Sequence, residues 1–411
     1  MKKLVGLTLG IMTALGGFVD LGQIVFTMQA GALFGYALLW AIVLGTAGTI
    51  IYMEMCGRVA VVAKEPVFAV IRSRLPFPAG LATLVASNLL NLITCAAELG
   101  GIATLLHLLT GWPEKLLLAC ATLIFGLAVF VLKFQWIERV FGLSGLLMIT
   151  FAISAIALHP HWGDVGRGLL PRFQQPDIKH GLLYGYFAVG IFSALLTEYQ
   201  VHFYSSGAIE EDWTPSQLSQ NFVVAAFGSS LGTALTAGIL IVGALVFLPR
   251  GIFPDTLGVA VIAGAYPFGS KALMIAAAGT IACLGGAAIE TALSGAYNVC
   301  QFFNLEWGKS RPKKSVPIFT ATWIGMFVLA FIIGTLGFRP LDLIDISIIF
   351  GMAVMPLTYY PILKIASDKG VMKKHVNSRL DTWVATVFLV LITISAAAAI
   401  PLMIVTHSGK P

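Results

Sequence analysis

The stretch Gly16-Gly17-Phe18-Val19-Asp20-Leu21-Gly22-Gln23-Ile24-Val25 decides how this chain is read. It lies inside the apolar run that opens the sequence, yet it sets a carboxylate and an amide among three glycines. A charged side chain at mid-bilayer costs at least about 2.5 kcal/mol and usually marks function. The surroundings leave no doubt about the solvent. Of 411 residues, 58% are hydrophobic and only 11% charged, against about 25% charged in a soluble chain. Mean hydropathy is +0.91. Lys2 and Lys3 ahead of an apolar core resemble a secretory leader, but the run continues through Val19 and Ile24 towards Ala32. It reads as a first transmembrane segment that is interrupted.

Apolar runs long enough to span a bilayer recur along the chain. They predict eleven spans, at about 4–31, 33–57, 77–109, 113–132, 135–158, 181–206, 216–248, 268–302, 315–336, 340–365 and 380–406. The expectation is an all-α polytopic membrane protein with one transmembrane domain, 1–411. With the N-terminus in the cytoplasm, 17 of the 25 lysines and arginines fall on the inside, as the positive-inside rule requires. The net charge of +6 therefore orients spans and is no sign of nucleic-acid binding. The five cysteines lie in or at the ends of apolar runs and suggest neither a disulfide nor a zinc framework. Thr214 before Pro215 reads as a helix start.

Ionisable residues within spans narrow the function. They are Asp20, Glu98, Glu198, Glu290 and Asp345. Spans 1 and 6 each hold a polar cluster near the middle, "GGFVDLGQIV" and "ALLTEYQVHFYSS". Five spans apart, they cross the membrane in opposite senses. That pattern points to a transporter of LeuT-like inverted five-helix repeats, with helices 1 and 6 broken and the substrate between them. The repeats would cover about 4–158 and 181–365, with an extra helix at about 380–406. Unwound backbone at that depth is tolerated where it lines a cavity.

The opening 50 residues of this region resemble the Nramp family of divalent-metal transporters. The resemblance rests on Asp20-Leu21-Gly22-Gln23 and on Ala30-Gly31-Ala32-Leu33-Phe34-Gly35-Tyr36-Ala37-Leu38-Leu39-Trp40. The family has Asp-Pro-Gly-Asn at the first place and Ala-Gly-x-x-Phe-Gly-Tyr-x-Leu-Leu-Trp at the second. The later spans match mainly by position. In span 6 the family's Met-Pro-His-Asn aligns with Thr197-Glu198-Tyr199-Gln200, and a second family histidine with Tyr204. Glu98 resembles the family's proton-path glutamate, while Cys95 stands where the family has an aspartate.

The resemblance implies a metal site of Asp20, Gln23, Thr197 and Asp345 with the carbonyls of Gly17 and Ala194, and Glu198 adding charge. Such a set is all oxygen, whereas a thioether favours softer metals. Mn²⁺ or Mg²⁺ is the expected substrate, and a hydrated ion in a roomy site is one form of it. No resident cofactor is expected, and the chain should act as a monomer in the plasma membrane. Glu98, Asp20, Glu290 and His202 are the candidate proton path; coupled and uncoupled transport both stay open. Structural readings stand beside these. Asp20 could cap a helix, Thr197 could bond its own helix, and Glu290 could pair across helices. An amino-acid or other organic-solute transporter on the same fold is the alternative. No nucleophile elbow, phosphate loop or His/Cys cluster suggests an enzyme, and a broken-helix pair suits alternating access better than a channel.

Overall fold

A computed structural model describes residues 19–171 and 177–410. The long helices follow the apolar runs. They are α1 (Leu21–Phe34), α2 (Leu39–Ala63), α3 (Val67–Arg74), α4 (Phe77–Thr110), α5 (Glu114–Val131), α6 (Phe134–Gly145) and α7 (Ile149–Ala157). After α8 (Trp162–Gly168) come α9 (Ile178–Leu195), α10 (Glu198–Glu210), α11 (Leu218–Val246), α12 (Leu257–Ala265) and α13 (Ser270–Phe302). The chain ends with α14 (Pro317–Thr335), α15 (Pro340–Ala366), the short α16 (Lys369–Met372) and α17 (Arg379–Val405). Among the described residues ten helical stretches are long and apolar enough to cross a membrane, counting α6–α7 as one and α9–α10 as one.

Helix starts carry their local signals. Ser378 and Asp381 form a capping box at α17, Asp177 caps α9 through His180 N at 2.8 Å, and Thr214 with Gln217 caps the turn before α11, as its sequence predicts. The glycine in Asp20-Leu21-Gly22-Gln23 would be read from the sequence as the break in span 1, and that reading needs correction: α1 starts at Leu21 with Asp20 as N-cap, so Gly22 is already helical. Its missing side chain serves packing, because a Cβ there would stand 2.6 Å from Ile348 Cδ1. The connection between α7 and α9 holds the short α8. α3 and α12 were not expected. They are 8 and 9 residues long, too short to register as spans.

The residues that carry the family resemblance build packing. At Gly31 a Cβ would run into the Leu240 carbonyl of α11 and lie 2.9 Å from Ala244 N. At Gly243 a Cβ would lie 2.5 Å from Met28 O. α1 and α11 thus touch backbone to backbone, the contact small residues allow in membranes. Gly35 turns the chain out of α1 with φ +60°, a region that suits glycine. Trp40 donates to Tyr184 Oη at 2.7 Å, and Tyr184 donates to Ala37 O at 3.0 Å, fastening the α1–α2 turn to α9.

Candidate functional site

A helix start and a helix break meet at the centre. α1 begins after an extended Asp20 (φ −74°, ψ 177°). α9 ends at Leu195, and α10 begins at Glu198 after Leu196 and Thr197. The freed carbonyls are partly answered by threonines: Thr197 Oγ1 donates to Ala194 O at 2.5 Å, and Thr49 Oγ1 to Leu195 O at 2.6 Å. A carbonyl has two lone pairs and a hydroxyl that donates still accepts, so both Ala194 and Thr197 keep the capacity to face a cation.

Between the start of α1 and the break lies a cavity of about 30 Å³, walled by Asp20, Asn91, Thr94, Ala194, Thr197, Glu198 and Tyr199, with Ser347, Ile348, Gly351 and Met355 from α15. Asp20 is 2% exposed. Its Oδ1 accepts Gln23 N at 2.7 Å, which is the helix-cap contact, and its Oδ2 accepts the Tyr199 hydroxyl at 3.1 Å. One oxygen therefore holds the helix while the other turns to α10. Glu198 accepts the Ser87 hydroxyl at 2.7 Å through Oε2, and its Oε1 finds no partner among the described residues. Glu198 sits in the first turn of α10, where the helix N-terminus favours an anion.

The structure divides the expected ligand set. Asp20, Thr197, Ala194 and Glu198 come together at the cavity. Gln23 does not line it: its Oε1 accepts the Thr27 hydroxyl at 2.7 Å one turn into α1. Asp345 does not line it either. The α15 wall is formed by Ile344, Ser347, Ile348, Gly351 and Met355, and at 100° per residue Asp345 is turned off that face. Gly17 lies outside the described residues. Glu98 is fully buried and accepts Leu21 N through both oxygens, at 3.2 and 3.3 Å. It holds the N-terminus of α1 beside Asp20. His202 is 1% exposed, stands edge-on to Phe68 at 5.1 Å, and neither ring nitrogen has a partner among the described residues. Glu290 is fully buried on α13, with neither oxygen partnered among the described residues.

Sequence reasoning missed part of the wall. Asn91 and Thr94 of the wall, with Ser87 behind Glu198, continue on α4 at spacings of four, three and four to Glu98, which the sequence did single out. That is one helix face, and a polar stripe in a membrane helix was a readable signal. Thr94 hydrogen-bonds Ser347 across to α15, and Asn91 Nδ2 is buried without a partner among the described residues. Met355 was also missed. Its sulfur lies 3.8 Å from Thr358 Oγ1, so the wall includes one thioether besides its oxygens. Among the described residues no three His, Cys, Asp or Glu side chains converge. Any cation here would be held by two carboxylates at most, with hydroxyl, amide and carbonyl oxygens.

Among the described residues, ten membrane-crossing stretches, with a broken helix and the start of α1 at a small polar cavity, define a multi-pass membrane protein of the LeuT-like fold. The chain belongs to the Nramp family: residues 10–401 match the family described as natural resistance-associated macrophage protein-like. It is 24% identical over 409 residues to the divalent metal cation transporter MntH of Agrobacterium fabrum, covering 94% of this chain and 84% of that one. Its fold is similar to that of a manganese transporter of Eremococcus coleocola, with TM-score 0.80 and 19% identity over 100% of this chain and 89% of that chain. It is less similar to MhsT in complex with L-phenylalanine, with TM-score 0.63 and 18% identity over 98% of each chain.

Proposed function

We propose that this protein carries divalent metal cations across the membrane by alternating access, with Mn²⁺ or Mg²⁺ as substrate. The observation that carries the proposal is the size and lining of the cavity. A cavity of about 30 Å³ exceeds the roughly 10–15 Å³ needed for one water and has room for an ion. Pockets for organic ligands run to about 300–1,000 Å³, which argues against an amino acid in this conformation. Mg²⁺ gives up its waters reluctantly, so it would sit here with more of its hydration shell than Mn²⁺. We assign the direct ligands to Asp20, Glu198, Thr197 and the Ala194 carbonyl. Glu98 lies behind Asp20 as a proton acceptor, and coupling of metal uptake to protons follows as part of the same reading. The two repeats and the extra helix, a cytoplasmic N-terminus, a plasma-membrane location and a monomeric state complete it.

The lining makes a selectivity prediction. Thr197→Met adds a thioether beside Asp20, and sulfur favours softer ions. In calorimetric titrations, Cd²⁺ should gain roughly tenfold in affinity over Mn²⁺ relative to wild type, about 1.4 kcal/mol. Met355→Leu should move the ratio the other way. An unchanged Cd²⁺/Mn²⁺ ratio in both variants would place the ion away from these side chains. Uptake of labelled Mn²⁺ into proteoliposomes tests transport itself, and competition by L-amino acids without competition by metals would favour the organic-solute reading.

A further inference from the structure

Glu138 is a fully buried carboxylate that the cation site does not use. It lies on α6, is 0% exposed, and neither oxygen has a hydrogen-bond donor or an ion-pair partner among the described residues. Its position follows from how α6 and α7 run against α13. Thr280 reaches Met148, with Oγ1 3.3 Å from the sulfur. Cys283 Sγ lies 3.8 Å from Gly145 O. At Gly286 a Cβ would lie 3.6 Å from Phe141 Cβ. As one helix ascends the other descends, and the next pair in that antiparallel register is Glu290 with Glu138. Phe134, one turn before Glu138, stacks on Phe203 of α10 at 5.3 Å, so the same face of α6 also meets the broken helix.

The face of α13 that carries Glu290 continues along α10. Ser294 Oγ donates to Tyr199 O at 2.8 Å, Tyr297 donates to Glu210 Oε1 at 2.9 Å, and Gln301 Nε2 donates to Ser206 Oγ at 2.8 Å. At one end stands Tyr199, whose hydroxyl donates to Asp20. At the other end α10 stops at Glu210, and the half-buried Glu211 follows. Glu138 lies within electrostatic reach of Glu211, Glu290 and Glu210. Glu290 in turn lies within reach of Asp20.

We propose that Glu290 and Glu138 form a buried proton relay, ending at Glu211, that runs beside the cation cavity and not through it. Two observations point to protons. Carboxyl groups buried without donors or cations shed an otherwise large cost by taking up a proton, and adjacent carboxyl groups readily share one. Among the described residues one side-chain N–H reaches the relay's carboxyls, Trp213 Nε1, which donates to Glu211 Oε2 at 2.9 Å; the Tyr297 hydroxyl donates to the neighbouring Glu210. The groups facing the pair are Tyr199, Cys283 and Tyr297, the carboxyls of Asp20, Glu98, Glu210 and Glu211, and Arg139, which acts on Glu211. Lys309 Nζ is held by Leu132 O at 2.7 Å. A proton passes from one carboxylic acid to the next carboxylate, and each donor is left as the next acceptor. Coordination of a metal by the pair is disfavoured, because no third ligand converges on it among the described residues.

The relay rests on the proposed cation transport, and two readouts separate their failures. In proteoliposomes of the full chain, Glu138→Gln should retain Mn²⁺ binding and uptake within about twofold while metal-driven internal acidification falls at least tenfold. Glu138→Asp should restore part of that acidification, which a merely structural role would not require. Acidification by Glu138→Gln at the wild-type rate, or Mn²⁺ uptake by the unsubstituted protein without any acidification, overturns the relay. In infrared difference spectra of the purified protein, Glu138→Gln and Glu290→Gln should each remove a protonated-carboxyl C=O band. Spectra identical to wild type overturn the relay even if the protein carries no metal.

Discussion

Asp20→Asn should abolish metal uptake and weaken Mn²⁺ binding by at least roughly 100-fold. The substitution is chosen because Asp20 has two roles in the structure. Its Oδ1 caps α1 through Gln23 N, and asparagine caps nearly as well as aspartate. The helix start should survive, and only the charge is removed. Loss of one charged partner from a buried ionic contact costs about 3–5 kcal/mol, and about 1.4 kcal/mol is a factor of ten. Asp20→Ala removes the cap as well, adding roughly 1 kcal/mol of lost stability. Thermal unfolding of the metal-free proteins should therefore separate the two variants, with alanine the less stable. Mn²⁺ binding in Asp20→Asn within threefold of wild type would remove Asp20 from the ligand set.

Gly31→Val should cause the largest loss of stability. The atoms that bar a side chain there are backbone, the Leu240 carbonyl and the Ala244 nitrogen. Neither can rotate away. Overpacking of a core costs typically about 1–3 kcal/mol when side chains can shift, and more is expected where they cannot. The variant should fall well below wild type in yield of monodisperse protein and in unfolding temperature. Gly126→Val on α5 is the control, since a Cβ there meets nothing within 4 Å. Equal stability of the two variants would mean that α1 and α11 do not pack as closely as described.

The contrast between these two positions explains what could be read from the chain. Hydropathy and length located ten of the eleven expected spans among the described residues, because bilayer thickness dictates both; of the first, the 14-residue α1 is described. The Gly31, Gly35 and Trp40 pattern identified the family through packing and a turn, and carries no chemistry of its own. The break between α9 and α10 was legible as polar residues at 197–200, since membrane helices seldom carry such a run. The ligand set was less legible because it depends on rotation about helix axes. Asp345 lies only one residue from Ile344 yet leaves the cavity face, and Gln23 is taken by Thr27 within its own helix. Ser87, Asn91 and Thr94 could have been found by their helical spacing from Glu98. Glu138 could not: between Lys133 and Arg139 it looks like an interfacial charge, and only the packing of α6 on α13 reveals that it is buried.

The account stands or falls on where the ion sits. The direct measurement is an anomalous-scattering map from crystals of the protein grown with Mn²⁺. It should show a single strong peak in the cavity between Asp20, Thr197, Ala194 and Glu198, at coordination distance from the Asp20 carboxylate, and no peak in Asp20→Asn crystals. A peak away from Asp20, or one that persists unchanged in the Asp20→Asn protein, would contradict the site and the mechanism built on it.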